Sequence, residues 1–587
     1  MRRLLPTVVR SLIPLQDSST IVPEMNSINR QAALEQIKQD PAVPVLILGG
    51  GVNGAGLFRE LALQGVDCLL VDKADFVSGA SSKSSRMIHG GLRYLENREF
   101  RLVRESLLER NRLLDNAPHY VTPLKTTIPL FSRFGGLLRS ALIFLGFDVR
   151  PGDRGALLVK LGLTFYDFVT RKHRRTPRHF FTSRAATLRD VPGLIPSLVC
   201  AANYWDAQVS EAERLCIELL RDARAANPRC HALNYVRPER PEGGAVVLRD
   251  EAGGQTLAVR PQVVVNATGA WVDLANAALG AQTHFMGGTK GSHLVVANRQ
   301  LCDALGDRMV YYEHTDGRVC IAFRFLDKVL MGSTDIRVDD PDAARCEESE
   351  IAYMLGTLRR VFPGIEIRRD EIAYVFCGVR PLPASGKGVT AIISRGHSLR
   401  VVEPDAARPF PIYCLIGGKW TTFRAFAEQV ADRLLAHLGR PRQCATDRTP
   451  IGGGTGFPAT DAEREAWVRR VAAERSVCPA RVAMLLDRYG TDAEAYLAGA
   501  DARAERPLET LPDYSVGEIE RIARDEAVVH LSDLVVRRST IALRGHATPN
   551  ALHELAGILA PVLGWDAARQ TREIRLARDE VAVPTPP

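Results

Sequence analysis

Hydrophobic positions follow different patterns in different parts of this chain. The runs at 45–48 and 69–71 contain no polar residue, which is typical of strands buried on both faces of a parallel sheet. Between residues 291 and 380, apolar and polar positions alternate over short stretches, which favours further β-strands. From about residue 454 onward, apolar residues recur at helical spacing among arginines and alanines, most clearly over 516–543 and 550–580. The pattern therefore predicts a parallel sheet, a second sheet and a helical C-terminal region.

A glycine-rich turn follows the first buried strand. It contains Gly49, Gly51 and Gly54 in the spacing G-x-G-x-x-G and leads into a predicted helix over residues 57–64. In such a turn the first glycine permits the tight bend, the second lets a pyrophosphate approach the backbone, and the third allows helix and strand to pack closely. Asp72 ends the second strand, where its carboxylate can accept hydrogen bonds from a ribose. These features predict a dinucleotide site and leave NAD and FAD equally open.

Two later segments narrow the choice of dinucleotide. Residues 263–271 and 415–424 each join a buried apolar run to a turn of small residues, and these turns contain Gly269, Gly418 and Thr421. Each turn offers a further approach of backbone to the same ligand, as a large dinucleotide such as FAD requires. We therefore predict FAD as the cofactor.

A serine- and glycine-rich segment at residues 78–94 lies between the second strand and the next predicted helix, 100–114. Such a segment is too polar for a core, and it ends in His, two glycines, Arg and Tyr rather than in the residues of a free loop. We predict that it packs along the cofactor. The residues expected to contact phosphate or flavin groups are Ser81, Ser82, Ser84 and Gly90.

The expected fold class is α/β (α+β overall), with a Rossmann-like FAD-binding domain, an inserted β-sheet substrate domain and a helical C-terminal domain. A chain of 587 residues is too long for one core and should divide into several domains. The predicted division is residues 1–40 as a disordered N-terminal extension, 41–110, 200–275 and 381–450 as a discontinuous FAD-binding domain, 111–199 and 276–380 as the substrate domain, and 451–580 as the helical domain.

Composition argues against several other classes of protein. The net charge of +8 comes from arginines scattered through the helices, without the run of like charge that binds nucleic acid. The 11 cysteines are dispersed, with no C-x-x-C pair and no histidine at ligand spacing, so we expect no metal site. The chain has no run of 18 apolar residues, so we expect no membrane-spanning helix. The arginine-containing start, residues 1–24, is interpreted as an extension or as sequence upstream of a start at Met25.

Six motifs in a fixed order resemble those of the FAD-dependent (aerobic) glycerol-3-phosphate dehydrogenases. They lie at residues 49–56, 81–96, 290–293, 332–335, 378–382 and 417–422, and a weaker similarity lies at 530–538. The resemblance implies oxidation of sn-glycerol 3-phosphate to dihydroxyacetone phosphate, with a hydride passing from carbon 2 to FAD and electrons then passing to a membrane quinone. It also implies a cytoplasmic protein held peripherally at the inner face of the cell membrane. Helical tails of this kind often make subunit contacts, so a homodimer is expected.

Cations within these motifs are the predicted phosphate ligands. A phosphate dianion requires basic side chains, and Arg93, Arg380 and Lys419 stand among glycines and small polar residues. Tyr94 and Thr334 are expected to donate or accept hydrogen bonds from the substrate. We predict that these five residues bind the substrate.

Loss of the hydroxyl proton calls for a base, and histidine is the usual choice because its pKa lies near neutrality. His89 and His293 are both candidates, and the sequence does not choose between them. Arg380 is also expected to act catalytically, by stabilising negative charge on the reduced flavin ring. Two other functions remain open: a glycerol-3-phosphate oxidase that uses oxygen, and a non-catalytic flavin-binding module.

Residues 136–147 and 156–166 are apolar with interspersed cations. Helices of this composition lie in membrane interfaces, but the same apolar face serves equally well for packing against the substrate domain. The sequence leaves these two interpretations open.

Overall fold

A computed structural model describes residues 28–95, 98–135, 155–313, 318–384, 395–498 and 503–584. In the described part of the chain the strands are, in order, β1 (Ala42–Leu48), β2 (Cys68–Val71), β3 (Met87–Ile88), β4 (Val121–Leu130), β5 (Phe180–Ser183), β6 (Cys200–Val209), β7 (His231–Leu233), β8 (Val236–Glu242), β9 (Ala245–Asp250), β10 (Thr256–Asn266), β11 (Thr289–Val296), β12 (Arg308–Glu313), β13 (Val319–Phe325), β14 (Lys328–Gly332), β15 (Ile336–Arg337), β16 (Ile372–Arg380), β17 (His397–Val402) and β18 (Ile412–Gly417).

The α-helices of the same residues are α1 (Arg30–Gln39), α2 (Val52–Leu63), α3 (Phe100–Asn116), α4 (Ala156–Thr170), α5 (Arg184–Asp190), α6 (Ala212–Ala226), α7 (Val272–Ala278), α8 (Arg299–Leu305), α9 (Glu348–Val361), α10 (Phe423–His437), α11 (Asp461–Arg475), α12 (Pro479–Tyr489), α13 (Ala493–Leu497), α14 (Val516–Asp525), α15 (Pro549–Leu563) and α16 (Ala567–Val581). A π-helical turn spans Asp533–Arg538.

The first sheet has the strand order β17-β18-β10-β1-β2-β7, and β8 and β9 extend it as a hairpin beside β10. Strands β18, β10, β1, β2 and β7 run parallel to one another, whereas β17 is antiparallel to β18 and β9 is antiparallel to β10. Alternate residues of a strand face opposite sides of the sheet. Accordingly, Val45 and Ile47 pack with α2, α6 and α10, whereas Leu46 and Leu48 pack with α1 on the other side. This burial on both faces explains the unbroken apolar runs of the sequence.

The second sheet has the order β15-β11-β14-β13-β12-β4-β6-β3, with β16 paired to β11 and β5 paired to β6. The division of the chain into domains stays a prediction, but two segments that it assigns to the FAD-binding domain are strands of the second sheet. Residues 87–88 and 200–209, which were grouped with the FAD-binding domain, pair with each other and with β4 in this second sheet. An apolar run indicates a strand but carries no information on which sheet the strand joins, because that depends on a partner far away in sequence.

The helical C-terminal region packs against one face of the second sheet. Leu534, Ile519 and Leu552 share a buried cluster with Phe323 and Val295 of that sheet. Helices α11 and α12 form a separate small core of their own. The sequence pattern over 550–580 predicted one helix, but the structure has two, because Gly564 ends α15 in a left-handed conformation (φ 68°) and Asp566 caps the start of α16.

The predicted disordered extension over residues 1–40 is wrong for its last part. Residues 30–39 form α1, whose Ala33, Leu34 and Ile37 are buried against the parallel sheet. Their i, i+1, i+4 spacing is that of one helical face, and Asn29 caps the helix by accepting a hydrogen bond from the Ala32 N–H. Residues 1–27, the predicted membrane segment 136–147 and Glu96 of the second motif lie outside the described residues.

The predicted segment 156–166 coincides with α4, which divides into two faces. Val159, Leu163 and Tyr166 are buried together with α3 and the second sheet. Leu161 and Phe168, in contrast, are exposed by 61% and 58%. The buried face of α4 is consistent with packing against the substrate domain, and its exposed face is consistent with contact with a membrane. None of the helices in the described residues combines the length and apolar character needed to cross a membrane.

Candidate functional site

The glycine turn at the end of β1 forms an open anion cradle. Gly49 has φ 101°, a conformation that disfavours other residues. A Cβ at Gly54 would lie 1.8 Å from the carbonyl oxygen of Gly49, so the third glycine is required for α2 to pack against the turn. Helix α2 begins at Val52, with Gly51 at its N-cap and no side chain of that residue covering the helix end. Exposed N–H groups at a helix N-terminus bind phosphates.

Asp72 lies beside this turn. Its Oδ2 accepts a hydrogen bond from the Gly50 N–H at 2.7 Å, and its Oδ1 accepts one from the Ala74 N–H at 3.0 Å. Burial raises the pKa of Asp72 to about 6, although the two backbone N–H donors oppose that shift. The carboxylate is thus held at the carboxyl end of β2, next to the cradle, where the fingerprint places a ribose.

The ends of β10 and β18 meet the same edge of the sheet as the end of β1. Gly269 and Gly418 follow these strands with φ 64° and 100°. A Cβ at Gly418 would approach the side chain of Asn53 to 3.2 Å. The buried Oδ1 of Asn53 has no hydrogen-bond partner among the described residues. In such sheets the ligand binds in the crevice at the carboxyl ends of the parallel strands. The Asn53 Oδ1 in this crevice can accept a hydrogen bond from a dinucleotide.

The serine-rich segment follows the cradle, but its residues have different contacts. Ser81 Oγ accepts a hydrogen bond from the Val52 N–H at 2.9 Å, so it lies at the start of α2. Ser84 lines the main cavity. Ser82 donates to the Gly79 carbonyl, and a Cβ at Gly90 would collide with Leu107 at 2.5 Å. The structure therefore gives Ser82 and Gly90 internal roles, and their contacts with the cofactor stay predictions.

A large cavity of about 1050 Å³ opens beside the cradle, between the two sheets. It is lined by all seven predicted catalytic and substrate-binding residues: His89, Arg93, Tyr94, His293, Thr334, Arg380 and Lys419. Ser81, Gly418 and Thr421, three of the predicted cofactor ligands, lie in its wall as well. Residues far apart in the sequence thus converge on one space that is continuous with the cradle.

Arg380 ends β16 and is fixed by several acceptors. Its guanidinium donates to Asp335 Oδ1 and the Lys290 carbonyl, both at 3.1 Å, and to Ser333 Oγ and the Thr334 carbonyl at 3.0 and 2.9 Å. Burial lowers the pKa of Arg380, and the carboxylate of Asp335 opposes this shift. A guanidinium held in a fixed orientation at a cavity wall is suited to bind an oxyanion.

Lys419 also lines the cavity and is almost fully buried. Its Nζ donates to the His89 carbonyl at 2.8 Å and to Ser106 Oγ at 3.0 Å, and it lies 4.9 Å from the centre of the Tyr94 ring. Burial lowers the pKa of Lys419 to about 7. An incoming anion would restore its charge, because an opposite charge favours the protonated form.

The two histidines differ in their surroundings. His293 Nε2 is hydrogen-bonded to Ser85 Oγ at 2.8 Å, its ring is stacked on Phe376, and burial lowers its pKa to about 3. His89 is held through its backbone, whose N–H donates to Thr421 Oγ1 and whose carbonyl accepts from Lys419. Burial, followed by the positive charges of Lys419 and Arg395, places the pKa of His89 well below its usual value. Both rings are therefore neutral near pH 7, and each is a weaker base than a free imidazole.

The hydroxyl of Thr334 is already engaged within the protein. It donates to Glu350 Oε1 at 2.6 Å and accepts from the Ser292 N–H at 2.9 Å. Glu350 in turn forms an ion pair with Lys290 at 2.8 Å. Thr334 contributes to the cavity wall, and its carbonyl positions Arg380. A direct hydrogen bond from its hydroxyl to a substrate stays a prediction that this arrangement does not favour.

Besides Lys83 of the 81–96 motif, three cations of the cavity were missed by the sequence reasoning. Arg318, Arg337 and Arg395 line the same space. Arg395 lies close enough for its charge to affect His89, Tyr94 and Arg380. None of the three belongs to a glycine-containing motif, so they carried no local signal. Asp335, by contrast, stands within the motif 332–335 and could have been paired with Arg380 by charge alone.

Comparisons with known proteins agree with this geometry. The family model described as FAD dependent oxidoreductase matches residues 44–433, and the C-terminal domain of alpha-glycerophosphate oxidase matches residues 444–570. Fold and cradle thus define an FAD-dependent oxidoreductase, and FAD is its cofactor.

Individual relatives narrow the class further. The chain is 32% identical to a glycerol-3-phosphate dehydrogenase of Synechocystis over 92% of its own length and 96% of the relative's. It is 33% identical to glycerol-3-phosphate dehydrogenase 2 of Mycobacterium tuberculosis over 92% and 88% of the two chains. The fold matches that of the Bacillus halodurans glycerol-3-phosphate dehydrogenase complexed with FAD, with a TM-score of 0.73 at 22% identity over 94% and 97% of the chains. The chain belongs to the FAD-dependent glycerol-3-phosphate dehydrogenase family.

Proposed function

We propose that this protein oxidises sn-glycerol 3-phosphate to dihydroxyacetone phosphate and passes the electrons to a membrane quinone. The observation that carries this proposal is the convergence of Arg93, Arg380 and Lys419 with a neutral histidine in one cavity beside the dinucleotide cradle. The names of the relatives support the same substrate. FAD, when bound, accepts the hydride; the other steps belong to the side chains of the cavity.

The phosphate group is bound by the cations of the cavity wall. Arg380 is oriented by Asp335 and Ser333, so its guanidinium loses little freedom when an oxyanion arrives. Lys419 adds a second positive charge in the cavity wall, and the phosphate dianion keeps it protonated. Because Lys419 is buried and Arg380 is half-buried, they interact more strongly with a dianion than surface cations do.

We assign the base to His89. His89 lines the cavity, and its backbone N–H and carbonyl are both fixed by residues of the 417–422 motif. The Nε2 of His293 is already hydrogen-bonded to Ser85. The hydroxyl proton of the substrate therefore passes to His89 as the hydride leaves carbon 2. Arg380 and Lys419 then stabilise the negative charge that the reduced flavin ring would carry.

Anaerobic mixing with sn-glycerol 3-phosphate tests the reaction. We expect the flavin absorbance near 450 nm to bleach within seconds, with glycerol and sn-glycerol 1-phosphate as controls that leave it unchanged. A flavin that stays oxidised in the presence of saturating substrate would overturn the assignment. A His89→Gln variant should bleach at least about 100-fold more slowly, as expected for a lost general base, whereas His293→Gln should be affected less.

The oxidase alternative differs only in the electron acceptor. If oxygen is the acceptor, turnover under air without quinone yields hydrogen peroxide in a 1:1 ratio to dihydroxyacetone phosphate. We expect less peroxide than one-tenth of the product, and rapid turnover once a short-chain quinone is added. Stoichiometric peroxide would replace the dehydrogenase assignment by the oxidase. A flavin that binds but never responds to substrate would instead support the non-catalytic module.

A patch on α4 supports contact with a membrane. Leu157, Leu161 and Phe168 lie on the exposed face of this helix, and Phe134 (68% exposed) adjoins its start, where the Leu157 N–H donates to the Arg133 carbonyl. The exposed cations Arg133, Lys160 and Arg171 lie on the same segments. Apolar side chains flanked by cations are suited to the interface of an anionic bilayer. We propose that this patch docks on the inner face of the cell membrane, where quinone is available.

Two substitutions test the membrane patch. A Leu161→Glu/Phe168→Glu variant should partition into anionic liposomes at least about tenfold less than the wild type, because it loses apolar area and gains negative charge. Its FAD content and its activity with a water-soluble dye should not change. Leu274→Glu, at a site exposed by 55% on α7, is the matched control. Wild-type liposome binding by the double variant would contradict the proposed patch. The predicted homodimer is checked separately by sedimentation of the full chain.

A further inference from the structure

The helical C-terminal domain reaches the cofactor cradle through one buried carboxylate, that of Asp75. Asp75 lies three residues after Asp72, and its side chain is fully shielded from solvent. Its Oδ1 accepts hydrogen bonds from Arg538 Nη2 at 2.8 Å and Asn234 Nδ2 at 2.9 Å. Its Oδ2 accepts from Arg537 Nε at 2.6 Å and Arg538 Nη1 at 2.8 Å. Burial alone would raise the pKa of Asp75, but Arg538 and Arg537 hold it at about 2.

The loop that carries Asp75, residues 72–78, contacts the glycine turn from two sides. The Val77 N–H donates to the Gly50 carbonyl at 3.1 Å, and the Gly50 N–H donates to Asp72 Oδ2 at 2.7 Å. Between them, the buried ring of Phe76 lies against Gly50, where a Cβ would meet it at 2.7 Å. Any displacement of this loop therefore moves both the Asp72 carboxylate and the glycine turn at Gly50.

Both arginines are fixed within the C-terminal domain before they reach Asp75. Arg537 donates to Asp533 Oδ1 at 2.8 Å and to Glu580 Oε1 of α16 at 2.7 Å. Arg538 donates to the Glu526 carbonyl at 3.0 Å. Their side chains are exposed by only 5% and 0%. Two guanidiniums held in this way form a rigid socket for a single carboxylate.

We propose that Arg537 and Arg538 are positioning residues for FAD. Through Asp75 they hold the loop 72–78 so that Asp72 faces the adenosine ribose and Gly50 keeps its place in the cradle. The C-terminal domain is then a structural part of the cofactor site, although none of its described residues lines the cavity. Without the two arginines, the loop 72–78 has to become ordered when FAD binds. The affinity for FAD is then lower, because the free energy of ordering the loop is subtracted from that of binding. The proposal rests on the predicted ribose contact of Asp72 and is independent of the substrate.

The chain offers a matched control in a second buried ion pair. Arg214 and Glu526 lie 2.5 Å apart with side chains exposed by 1% and 0%, and they too join the C-terminal domain to the FAD-binding half. Arg214 comes from α6 and binds the side chain of Glu526, whereas Arg538 contacts the backbone carbonyl of that residue, so Arg214→Lys leaves the contact between Arg538 and Glu526 in place. Arg538→Lys keeps the charge and removes the bidentate contact with Asp75, and Arg214→Lys keeps the charge and removes the guanidinium contacts with Glu526 and Tyr496. General damage to the domain contact should therefore affect both variants alike.

The socket is tested by measuring the dissociation constants of the apoprotein for FAD, ADP and FMN. Binding of each ligand is monitored by the fluorescence of the protein. We expect Arg538→Lys to raise the constants for FAD and ADP by a similar factor of about ten or more, with the FMN constant unchanged, because FMN lacks the adenosine. Arg214→Lys should leave all three at the wild-type values. Wild-type FAD and ADP binding by Arg538→Lys would overturn the proposal, as would an equal loss in Arg214→Lys. If Arg538→Lys does not fold, Asp75→Asn, which keeps the shape and one acceptor, is measured in the same way with the same expected and contrary results.

Discussion

The cofactor cradle and the substrate cavity adjoin each other but are built on different principles. The cradle consists mainly of backbone from one short stretch, Gly49 to Asp72, and its specificity is steric: a Cβ at Gly54 has no room. The cavity depends on charged side chains such as Arg93, Arg380 and Lys419, which come from distant parts of the chain. A cradle made of backbone is sensitive to added atoms, whereas a cavity made of side chains is sensitive to lost charge. Four substitutions probe this contrast.

The largest effect is expected from Gly54→Ala. The added methyl group would lie 1.8 Å from the Gly49 carbonyl oxygen, so α2 must move away from the turn. We expect protein without detectable FAD, measured by absorbance after purification, or no soluble protein. Gly356→Ala is the control, since its Cβ in α9 meets nothing within 4 Å and should stabilise the helix by about 0.5–1 kcal/mol. Stoichiometric FAD in Gly54→Ala would refute the steric account of the cradle.

Arg380→Met should separate the two regions. The substitution keeps the length of the side chain but removes the charge that faces the cavity, and losing one partner of a buried charged pair costs about 2–5 kcal/mol. We expect kcat/KM for sn-glycerol 3-phosphate to fall by roughly 10²- to 10³-fold while FAD content stays stoichiometric. Arg368→Met, at a surface arginine exposed by 66%, should leave both unchanged. Loss of FAD in Arg380→Met would show that cradle and cavity are not separable.

Lys419→Arg should change the pH profile more than the rate. With a pKa of about 7 the lysine loses its charge as pH rises, so wild-type kcat/KM, calculated for the dianionic form of the substrate, should fall roughly 25-fold between pH 6.5 and 8.5. Arginine stays protonated over this range, and the decline should shrink to less than about twofold. Lys73→Arg, outside the cavity and 42% exposed, should keep the wild-type profile. A parallel decline in Lys419→Arg would assign the titration to another group.

The smallest effect is expected at Asp72. Its pKa is raised to about 6, so the carboxylate protonates as pH falls through that value and loses a hydrogen-bond acceptor for the ribose. The FAD dissociation constant of the wild type should therefore rise roughly fourfold between pH 7.5 and 5.5. Asp72→Asn should bind FAD more weakly at pH 7.5 and show no such dependence. Asp75 does not contribute in this range, because its pKa is about 2. Equal pH dependence in the variant would remove Asp72 from the ribose contact.

Local patterns accounted for much of the architecture. The unbroken apolar runs of β1 and β2, the glycine spacing and the helical period of the C-terminal region correctly indicated a parallel sheet, a dinucleotide cradle and a helical domain, and FAD was confirmed as the cofactor. The same reasoning failed for α1, whose short apolar face was overlooked, and for β3 and β6, whose sheet depends on distant partners.

The sequence by itself determined which residues are able to form a cradle and which side chains have the chemistry for phosphate and proton transfer, because glycine spacing and residue type are local properties. Only the tertiary structure decided how these residues are used. It brought Arg395 and Arg318 into the cavity, engaged the Thr334 hydroxyl with Glu350, and placed Arg538 against Asp75. The contact between Arg538 and Asp75 joins residues 463 positions apart. Burial, which sets the charge of Lys419 and His89, exists only once the chain has folded.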